Sequence, residues 1–306
     1  MTRVVAVVGP TASGKTELAV ALARSLGGEV VSADSRQLYR GFDAGTAKPR
    51  LTAGRDADGI PHHLIDAADP SETVSAGRYA RMAGPVLEAI VGRGRVPIVA
   101  GGTGLYIRAL LDGLSDLPEA DQALRSRISE EARTRGWEAL HRRLAEFDPE
   151  AAARIPKNNR SRLMRALEVR ELTGRPISSF WKKGAERRWE TVYLSIVWPP
   201  DRLRARIVDR AQAMWPGILD ETRRHLERWT GLEAAFQSLG YREALSCLEG
   251  RITADEGLAL LIRATTAYAK RQRTWFKNQL PAATRVEGGP TQRMLDAALR
   301  MFAHGA

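Results

Sequence analysis

The sequence contains almost no cysteine, since Cys247 is the only one among 306 residues. An internal disulfide framework and a cysteine-rich zinc site are therefore excluded, and a reducing compartment is indicated. No apolar run approaches the roughly 20 residues that a membrane-spanning helix requires. The chain passes from Met1 to Arg3 directly into an apolar run, which leaves no room for a signal peptide. We expect a cytoplasmic protein that does not enter a membrane.

Internal repeats are also missing, and 43% hydrophobic with 27% charged residues is typical of a globular protein. Acidic residues are scarce in two segments. Residues 154–188 hold eleven Lys or Arg against three acids, and residues 263–277 hold five basic residues and no acid. Because the whole chain carries a net charge of +11, the remainder is close to neutral. Positive charge confined to two segments favours a polyanionic partner, most simply a nucleic acid. An arginine-rich composition without any such partner is the alternative.

A phosphate-binding loop is the strongest motif. Residues 9–16 follow a short apolar run at 4–8 and precede a helix-prone segment at 17–23, which is the strand, glycine-rich turn and helix that the motif requires. Backbone N–H groups and the helix N-terminus can bind phosphate, Lys15 can neutralise it, and Thr16 can ligate a magnesium ion. The candidate phosphate-binding residues are Gly9, Pro10, Thr11, Ala12, Ser13, Gly14, Lys15 and Thr16.

Polar or glycine-rich segments follow two further predicted strands. The run at 28–33 ends at Asp34, and the run at 95–100 ends at the glycine-rich segment 101–106. Ligands of open α/β sheets bind beyond the carboxyl ends of the strands. We therefore expect Asp34 to face the crevice that contains the phosphate loop.

The adjacent residues His62 and His63 could suggest a metal site. In an extended segment their side chains point in opposite directions, and no carboxylate or cysteine cluster lies near them in sequence. We therefore predict no metal site at this position.

The hydrophobic pattern predicts an α/β fold with an inserted helical subdomain. Helices are expected at 75–92, from 201 onward and around 258–276, and a further strand at 189–198. Residues 116–187 are rich in charge, and their apolar residues have the spacing of short amphipathic helices. We expect residues 1–115 and 188–306 to form a core like that of P-loop NTPases, with a parallel sheet flanked by helices, and residues 116–187 to form the all-helical insertion. In the segment around 258–276, basic side chains occupy a different face from the apolar one.

Eight segments together resemble the tRNA dimethylallyltransferase family, also called the IPP transferase family. They occur in order along nearly the whole chain: Gly-Pro-Thr-Ala-Ser-Gly-Lys-Thr (9–16), Asp-Ser-Arg-Gln-Leu-Tyr-Arg-Gly (34–41), Gly-Thr-Ala-Lys-Pro (45–49), Pro-His-His-Leu-Ile-Asp (61–66), Gly-Gly-Thr-Gly-Leu-Tyr (101–106), Arg-Ala-Leu-Glu-Val (165–169), Gly-Tyr-Arg-Glu (240–243) and Lys-Arg-Gln-Arg-Thr-Trp-Phe (270–276).

The resemblance implies transfer of a dimethylallyl group from dimethylallyl diphosphate to the exocyclic amine of the adenosine just 3′ of the anticodon, with Mg²⁺ assisting. It implies that the phosphate loop holds a prenyl diphosphate where its relatives hold a nucleotide, that Asp34 is the general base, that Thr103 assists, and that Arg210 contacts the diphosphate. It implies no obligate protein partner, and we expect a monomer. The implied contacts to the tRNA anticodon loop are Asp34, Ser35, Arg36, Gln37, Thr103, Arg125, Ser161, Arg162, Leu163, Met164, Arg165, Gln237, Ser238, Leu239, Gly240, Tyr241, Arg242, Lys270, Arg271, Arg273 and Lys277.

Two alternatives remain at this point. A P-loop small-molecule or nucleoside kinase also places a base after its second strand, but this chain shows no acidic strand end for a second magnesium ligand and carries a large basic insertion. The second alternative is a non-enzymatic RNA-binding protein that is switched by a bound nucleotide. It would give Asp34 and Thr103 no function.

Overall fold

A computed structural model describes residues 3–113, 117–181 and 189–304. Its centre is a sheet of six strands in the order β3-β2-β4-β1-β5-β6, and every neighbouring pair is parallel. The strands are β1 (Val4–Val8), β2 (Gly28–Ser32), β3 (His62–His63), β4 (Val96–Gly101), β5 (Thr191–Val197) and β6 (Thr284–Glu287). This sheet and its flanking helices confirm the predicted α/β fold with a parallel sheet.

The composition of β1 explains its central position. Its five residues are all Val or Ala and are fully buried, because helices cover both faces of the sheet. Val5 pairs with Ile98 of β4 on one side and with Val192 of β5 on the other.

Eleven α-helices and two short 3-10 helices are present among the described residues. The 3-10 helices span Ile177–Phe180 and Ala234–Gln237. The α-helices are α1 (Lys15–Leu26), α2 (Ala76–Gly92), α3 (Gly104–Leu111), α4 (Gln122–Arg135), α5 (Trp137–Phe147), α6 (Pro149–Arg154), α7 (Arg160–Thr173), α8 (Pro200–His225), α9 (Tyr241–Leu248), α10 (Ala254–Gln279) and α11 (Thr291–His304). No helix in the described ranges combines the length and the apolar character needed to cross a membrane.

Two hydrophobic cores lie on opposite faces of the sheet. Val4, Ala6 and Val8 of β1 pack with side chains of α2, α3, α8, α9 and α10, whereas Val5 and Val7 pack with α1 and α11. This alternation follows from the two-residue period of a strand, which sends successive side chains to opposite faces. The helices α10 and α11 are therefore on different sides of the sheet.

The chain divides into two compact units, Met1–Asp112 with Arg187–Ala306, and Gly113–Glu186. The described part of the second unit consists of α4 to α7, one 3-10 helix and connecting turns, around a core that includes Leu140, Leu144 and Leu163. The predicted boundaries, 115/116 and 187/188, lie outside the described residues, so that division of the chain remains a proposal.

The predicted strands correspond to β1, β2, β4 and β5, and the predicted helices correspond to α2, α8 and α10. The helix α10 begins earlier than expected, because Thr253 and Glu256 form a capping box that starts it at Ala254. The elements β3, β6, α3, α9 and α11 were not predicted. Strands of two and four residues, as in β3 and β6, show too little alternation to be recognised without their neighbours in the sheet.

Candidate active site

The phosphate loop lies between the end of β1 and the start of α1. Gly14 (φ 92°) and Ala12 (φ 61°) are in the left-handed region, which glycine adopts without strain and alanine only at an energetic cost. No side chain among the described residues caps the N-terminus of α1. Its first N–H groups and the positive end of its dipole are therefore free to bind an anion.

Two side chains of the segment after β5 hold carbonyl groups of this loop. Arg206 Nε donates to the carbonyl of Ala12 at 2.7 Å, and Trp198 Nε1 donates to the carbonyl of Ser13 at 3.0 Å. The Arg206 guanidinium also stacks on the Trp198 ring. Because the C=O and N–H of a trans peptide point in opposite directions, fixing these carbonyls directs the next N–H groups, including that of Gly14, to the other side. No local pattern in the sequence indicates this support.

Two cations of the site are partly desolvated. Burial lowers the pKa of the Lys15 ammonium to about 8, although the nearby Asp34 carboxylate acts to raise it. Burial likewise lowers the pKa of Arg210, against the attraction of Glu17 and Asp34. Lys15 Nζ donates to the carbonyl of Pro10 at 2.6 Å. Burial removes water from both cations, and a bound dianion would stabilise their charges in its place.

Asp34 and Thr103 follow β2 and β4, which are neighbours in the sheet. The two turns are in contact, since the Thr103 N–H donates to the carbonyl of Ala33 at 3.2 Å. Asp34 Oδ1 accepts a hydrogen bond from the Arg36 N–H at 2.9 Å, which leaves its other oxygen available. Tyr268 of α10 lies beside Thr103; burial raises the pKa of Tyr268 to about 12.

A cavity of about 1350 Å³ joins the phosphate loop to Asp34. This volume exceeds what one prenyl diphosphate needs, so the cavity has room for a second reactant. The predicted site residues that line it are Thr11, Ala12, Ser13, Gly14, Lys15, Thr16, Asp34, Ser35, Arg36, Gln37, Arg210, Gln237, Ser238, Leu239, Arg242 and Arg271.

Other predicted residues of the first unit lie elsewhere. Lys270, Arg273 and Lys277 are exposed on α10 and are not part of the cavity wall. Tyr241 is fully buried, and its hydroxyl bonds to Glu221. A side-chain contact between Tyr241 and a surface ligand is therefore not possible in this conformation.

The predicted residues of the second unit differ in their exposure. Ser161 and Arg162 are exposed in the first turn of α7, Met164 is half-buried, and the Leu163 side chain is in the core. Arg125 and Arg165 both bind the fully buried carboxylate of Glu168; Arg125 does so through two hydrogen bonds of 2.8 and 3.0 Å. Both arginines thus have a structural partner that the sequence analysis did not assign.

No group of three or more His, Cys, Asp and Glu that could hold a metal ion occurs among the described residues. His62 Nε2 is 2.9 Å from Asp56, and His63 Nε2 is 2.7 Å from Glu29, so each histidine has a separate carboxylate partner. For a metal at the phosphate loop, the candidate protein ligand is the hydroxyl of Thr16, which lines the cavity.

Comparison with known proteins identifies the family. A family model described as IPP transferase matches residues 37–279, and one described as isopentenyl transferase matches residues 2–53. The chain belongs to the IPP transferase family. This confirms the resemblance found in the sequence.

Several relatives share most of the length of the chain. A tRNA dimethylallyltransferase of Anaeromyxobacter dehalogenans is 46% identical over 280 residues, covering 90% of this chain and 90% of the relative. One of Streptomyces coelicolor is 45% identical over 295 residues, covering 95% and 92%.

Solved structures of IPP transferases have the same fold. The full-length tRNA isopentenylpyrophosphate transferase of Bacillus halodurans matches 100% of this chain and 96% of its own, with a TM-score of 0.71 and 38% identity. A eukaryotic dimethylallyltransferase acting on tRNA matches 99% of this chain and 78% of its own, with a TM-score of 0.83 and 25% identity.

Proposed function

We propose that this IPP transferase moves a dimethylallyl group from dimethylallyl diphosphate to the N6 amine of adenosine 37, the nucleotide 3′ of the anticodon in tRNA. The products are N6-dimethylallyladenosine and diphosphate. The observation that supports this most directly is that one cavity contains both a phosphate loop with its cations and the carboxylate of Asp34. Such a cavity can hold a diphosphate leaving group and an amine acceptor together.

The chemistry requires stabilisation of the leaving diphosphate. Breaking the allylic carbon–oxygen bond places negative charge on the diphosphate and positive charge on the allylic carbon. Lys15, Arg210 and the N-terminus of α1 supply fixed positive charge where the diphosphate charge develops. Partial burial strengthens these interactions because solvent screens them less.

The acceptor amine needs a base. The lone pair of an exocyclic adenine amine is delocalised into the ring, so the nitrogen gains nucleophilicity only as a proton leaves. We assign this proton to the carboxylate of Asp34, which lines the same cavity as Lys15. The new carbon–nitrogen bond forms as the carbon–oxygen bond to diphosphate breaks.

A magnesium ion fits the donor atoms at the loop. The Thr16 hydroxyl, with diphosphate oxygens and water, would supply the all-oxygen environment that Mg²⁺ prefers, and Mg²⁺ commonly binds through substrate phosphates with few protein ligands. When bound, the ion would neutralise charge on the leaving diphosphate.

Recognition of tRNA is assigned to exposed basic side chains, with those of α10 providing the clearest surface. The helix presents Lys270, Arg273 and Lys277 to solvent while its apolar face is packed on the core. Phosphate contacts of this kind supply affinity. The target base must leave the stack to reach Asp34, as in other enzymes that modify bases. A tRNA substrate also favours a cytoplasmic enzyme.

A kinase function is less well supported by the strand ends. The strands on either side of β1 are β4, which is followed by Gly102 and Thr103, and β5, which is followed by Trp198-Pro199-Pro200. Neither end supplies the carboxylate that P-loop kinases use as an additional magnesium ligand.

The test is incubation of purified protein with unmodified tRNA, labelled dimethylallyl diphosphate and Mg²⁺. We expect label on adenosine 37 and stoichiometric diphosphate. A parallel reaction with ATP and nucleosides should show no phosphoryl transfer, and sedimentation of the same sample should give the mass of a monomer. ATP turnover without prenyl transfer would favour a kinase, whereas tRNA binding without either reaction would favour a binding module.

A further inference from the structure

A single glutamine connects two turns of the candidate active site. Gln272 lies on α10 and is only 6% exposed. Its Oε1 accepts a hydrogen bond from the N–H of Thr11 at 2.8 Å, and its Nε2 donates to the carbonyl of Gly102 at 2.9 Å. One side chain therefore contacts both the phosphate loop and the turn that follows β4.

The packing around this bridge is close. A Cβ atom added to Gly102 would lie 2.3 Å from Gln272 Nε2, so any side chain at position 102 would displace the Gln272 amide. A second close approach occurs one turn further along α10, where a Cβ on Gly104 would lie 2.3 Å from the Trp275 ring. The helix is thus seated directly on the turn that contains Thr103.

In the sequence, Gln272 belongs to the segment 270–276 that resembles the family, but it received no role of its own. Gln272 is a buried polar side chain of α10 whose sequence neighbours Arg271 and Arg273 are exposed. Both the oxygen and the nitrogen of its amide form hydrogen bonds. A buried amide with both groups satisfied fixes the positions of its partners, because moving either partner would leave a buried polar group unpaired.

We propose that Gln272 is a positioning residue that fixes the phosphate loop relative to the turn of Thr103, and thereby holds the allylic carbon at reacting distance from the acceptor amine. This inference rests on the proposed prenyl transfer. Thr11 and Gly102 are separated from Gln272 by 261 and 170 positions, so the bridge exists only in the folded molecule.

The expected consequence is a loss in kcat with substrate binding preserved. A misplacement of about 1 Å between reacting groups can cost on the order of 100-fold in rate. Gln272 lines the cavity, but its amide oxygen and nitrogen are bonded to the backbone of Thr11 and Gly102, and the Lys15 ammonium is not among its partners. Affinity for tRNA and for inorganic diphosphate should therefore change little.

The main variant is Gln272→Met, which keeps the approximate volume and removes both hydrogen bonds. Gln272→Glu keeps an acceptor for the Thr11 N–H but has no N–H for Gly102. The matched control is Gln279→Leu, at an exposed position of the same helix whose partner is Arg108. Each protein is measured for single-turnover transfer, KM for tRNA, titration with inorganic diphosphate, melting temperature and hydrogen exchange of the peptide that contains Thr11.

We expect Gln272→Met to lower the single-turnover rate by about 10- to 100-fold with KM for tRNA within about threefold. The Thr11 amide should exchange faster in Gln272→Met and remain protected in Gln272→Glu, which should nevertheless be slow in transfer. The control should match wild type. A rate within twofold of wild type for Gln272→Met would overturn the inference, as would a rate loss matched by equal losses in diphosphate and tRNA affinity.

Failure of the proposed function gives a different result. If wild-type protein transfers no prenyl group, the exchange and diphosphate titrations still report on the bridge. If Gln272→Met does not fold, Gln272→Glu supplies the kinetic test, and wild-type kinetics in that variant would contradict the positioning role.

Discussion

Thr103 Oγ1 accepts a hydrogen bond from the backbone N–H of Ser35 at 2.9 Å. The same hydroxyl lies 3.3 Å from Ser35 Oγ, and the Thr103 N–H donates to the carbonyl of Ala33. The residues on either side of Asp34 are therefore attached to the turn after β4. The position of the proposed base depends on Thr103 before any substrate is bound.

Replacing Asp34 by Asn should lower kcat by about 10²–10⁴, the usual contribution of a positioned base. Asn keeps the shape and an acceptor for the Arg36 N–H but cannot take the proton. Single-turnover transfer with saturating tRNA measures this, and Asp209→Asn, another carboxylate of the cavity wall, is the control. An Asp34→Asn rate within a few-fold of wild type removes Asp34 from the mechanism.

The pH profile of the reaction should fall at alkaline pH because of Lys15. Because its pKa is lowered to about 8, the free enzyme loses the ammonium as pH rises through about 8, and kcat/KM for the diphosphate substrate should fall there. Lys15→Ala should lower this kcat/KM at neutral pH, remove the alkaline fall and leave tRNA affinity unchanged. Equal losses of diphosphate use and tRNA binding would reject the assignment.

The effect of Lys15 on stability has the opposite direction. Between pH 8 and its unfolded pKa of 10.5 the unfolded chain binds more protons than the folded one, so the Lys15 contribution to stability rises with pH. Denaturant unfolding across this range should therefore show a steeper rise for wild type than for Lys15→Ala.

Removing Lys270, Arg273 and Lys277 together should weaken tRNA binding and reduce its salt dependence by about 0.7 to 0.9 per lost phosphate contact, since fewer counterions are released. The control removes the same charge at the exposed residues Arg293 and Arg300 of α11, on the other face of the sheet, and Arg285 of the edge strand β6. Binding titrations at several salt concentrations decide the matter; equal salt slopes for both triple variants would show that α10 does not contact the RNA.

Glu168 should be required for the stability of the second unit. Burial alone would raise its pKa, but hydrogen bonds from Arg125 and Arg165 outweigh burial and hold the pKa below 4.5. Its stabilisation is therefore present above pH 4.5 and lost as pH falls through the lowered pKa. Glu168→Gln should cost on the order of 2–3 kcal/mol, because two arginines lose a buried charged acceptor.

Hydrogen exchange of residues 117–181 in the full chain measures this change, and Glu171→Gln, at an exposed position of the same helix, is the control. Unchanged exchange in Glu168→Gln would show that the pair contributes little. The same measurement on Arg125→Ala and Arg165→Ala separates a lost tRNA contact from a destabilised second unit, because both arginines bind Glu168.

Local signals were sufficient for the phosphate loop and the strands around it. The apolar run of β1, the left-handed glycine at position 14 and the helix-forming residues after it all lie within about 20 residues, so pattern and backbone preference identify them. The family resemblance implied the reaction, the general base and the basic tRNA contacts. It rests on short segments, each of which is recognised without reference to the others.

By itself, then, the sequence determined the α/β core, the anion-binding loop and the candidate base. Only the tertiary structure decided that Gln272, Trp198 and Arg206 hold that loop, and that Tyr241 and Leu163 are buried. The reason is that a side chain's partner is set by which elements pack together. Gln272 and Thr11 are 261 positions apart, and no local periodicity contains information about a hydrogen bond across that distance.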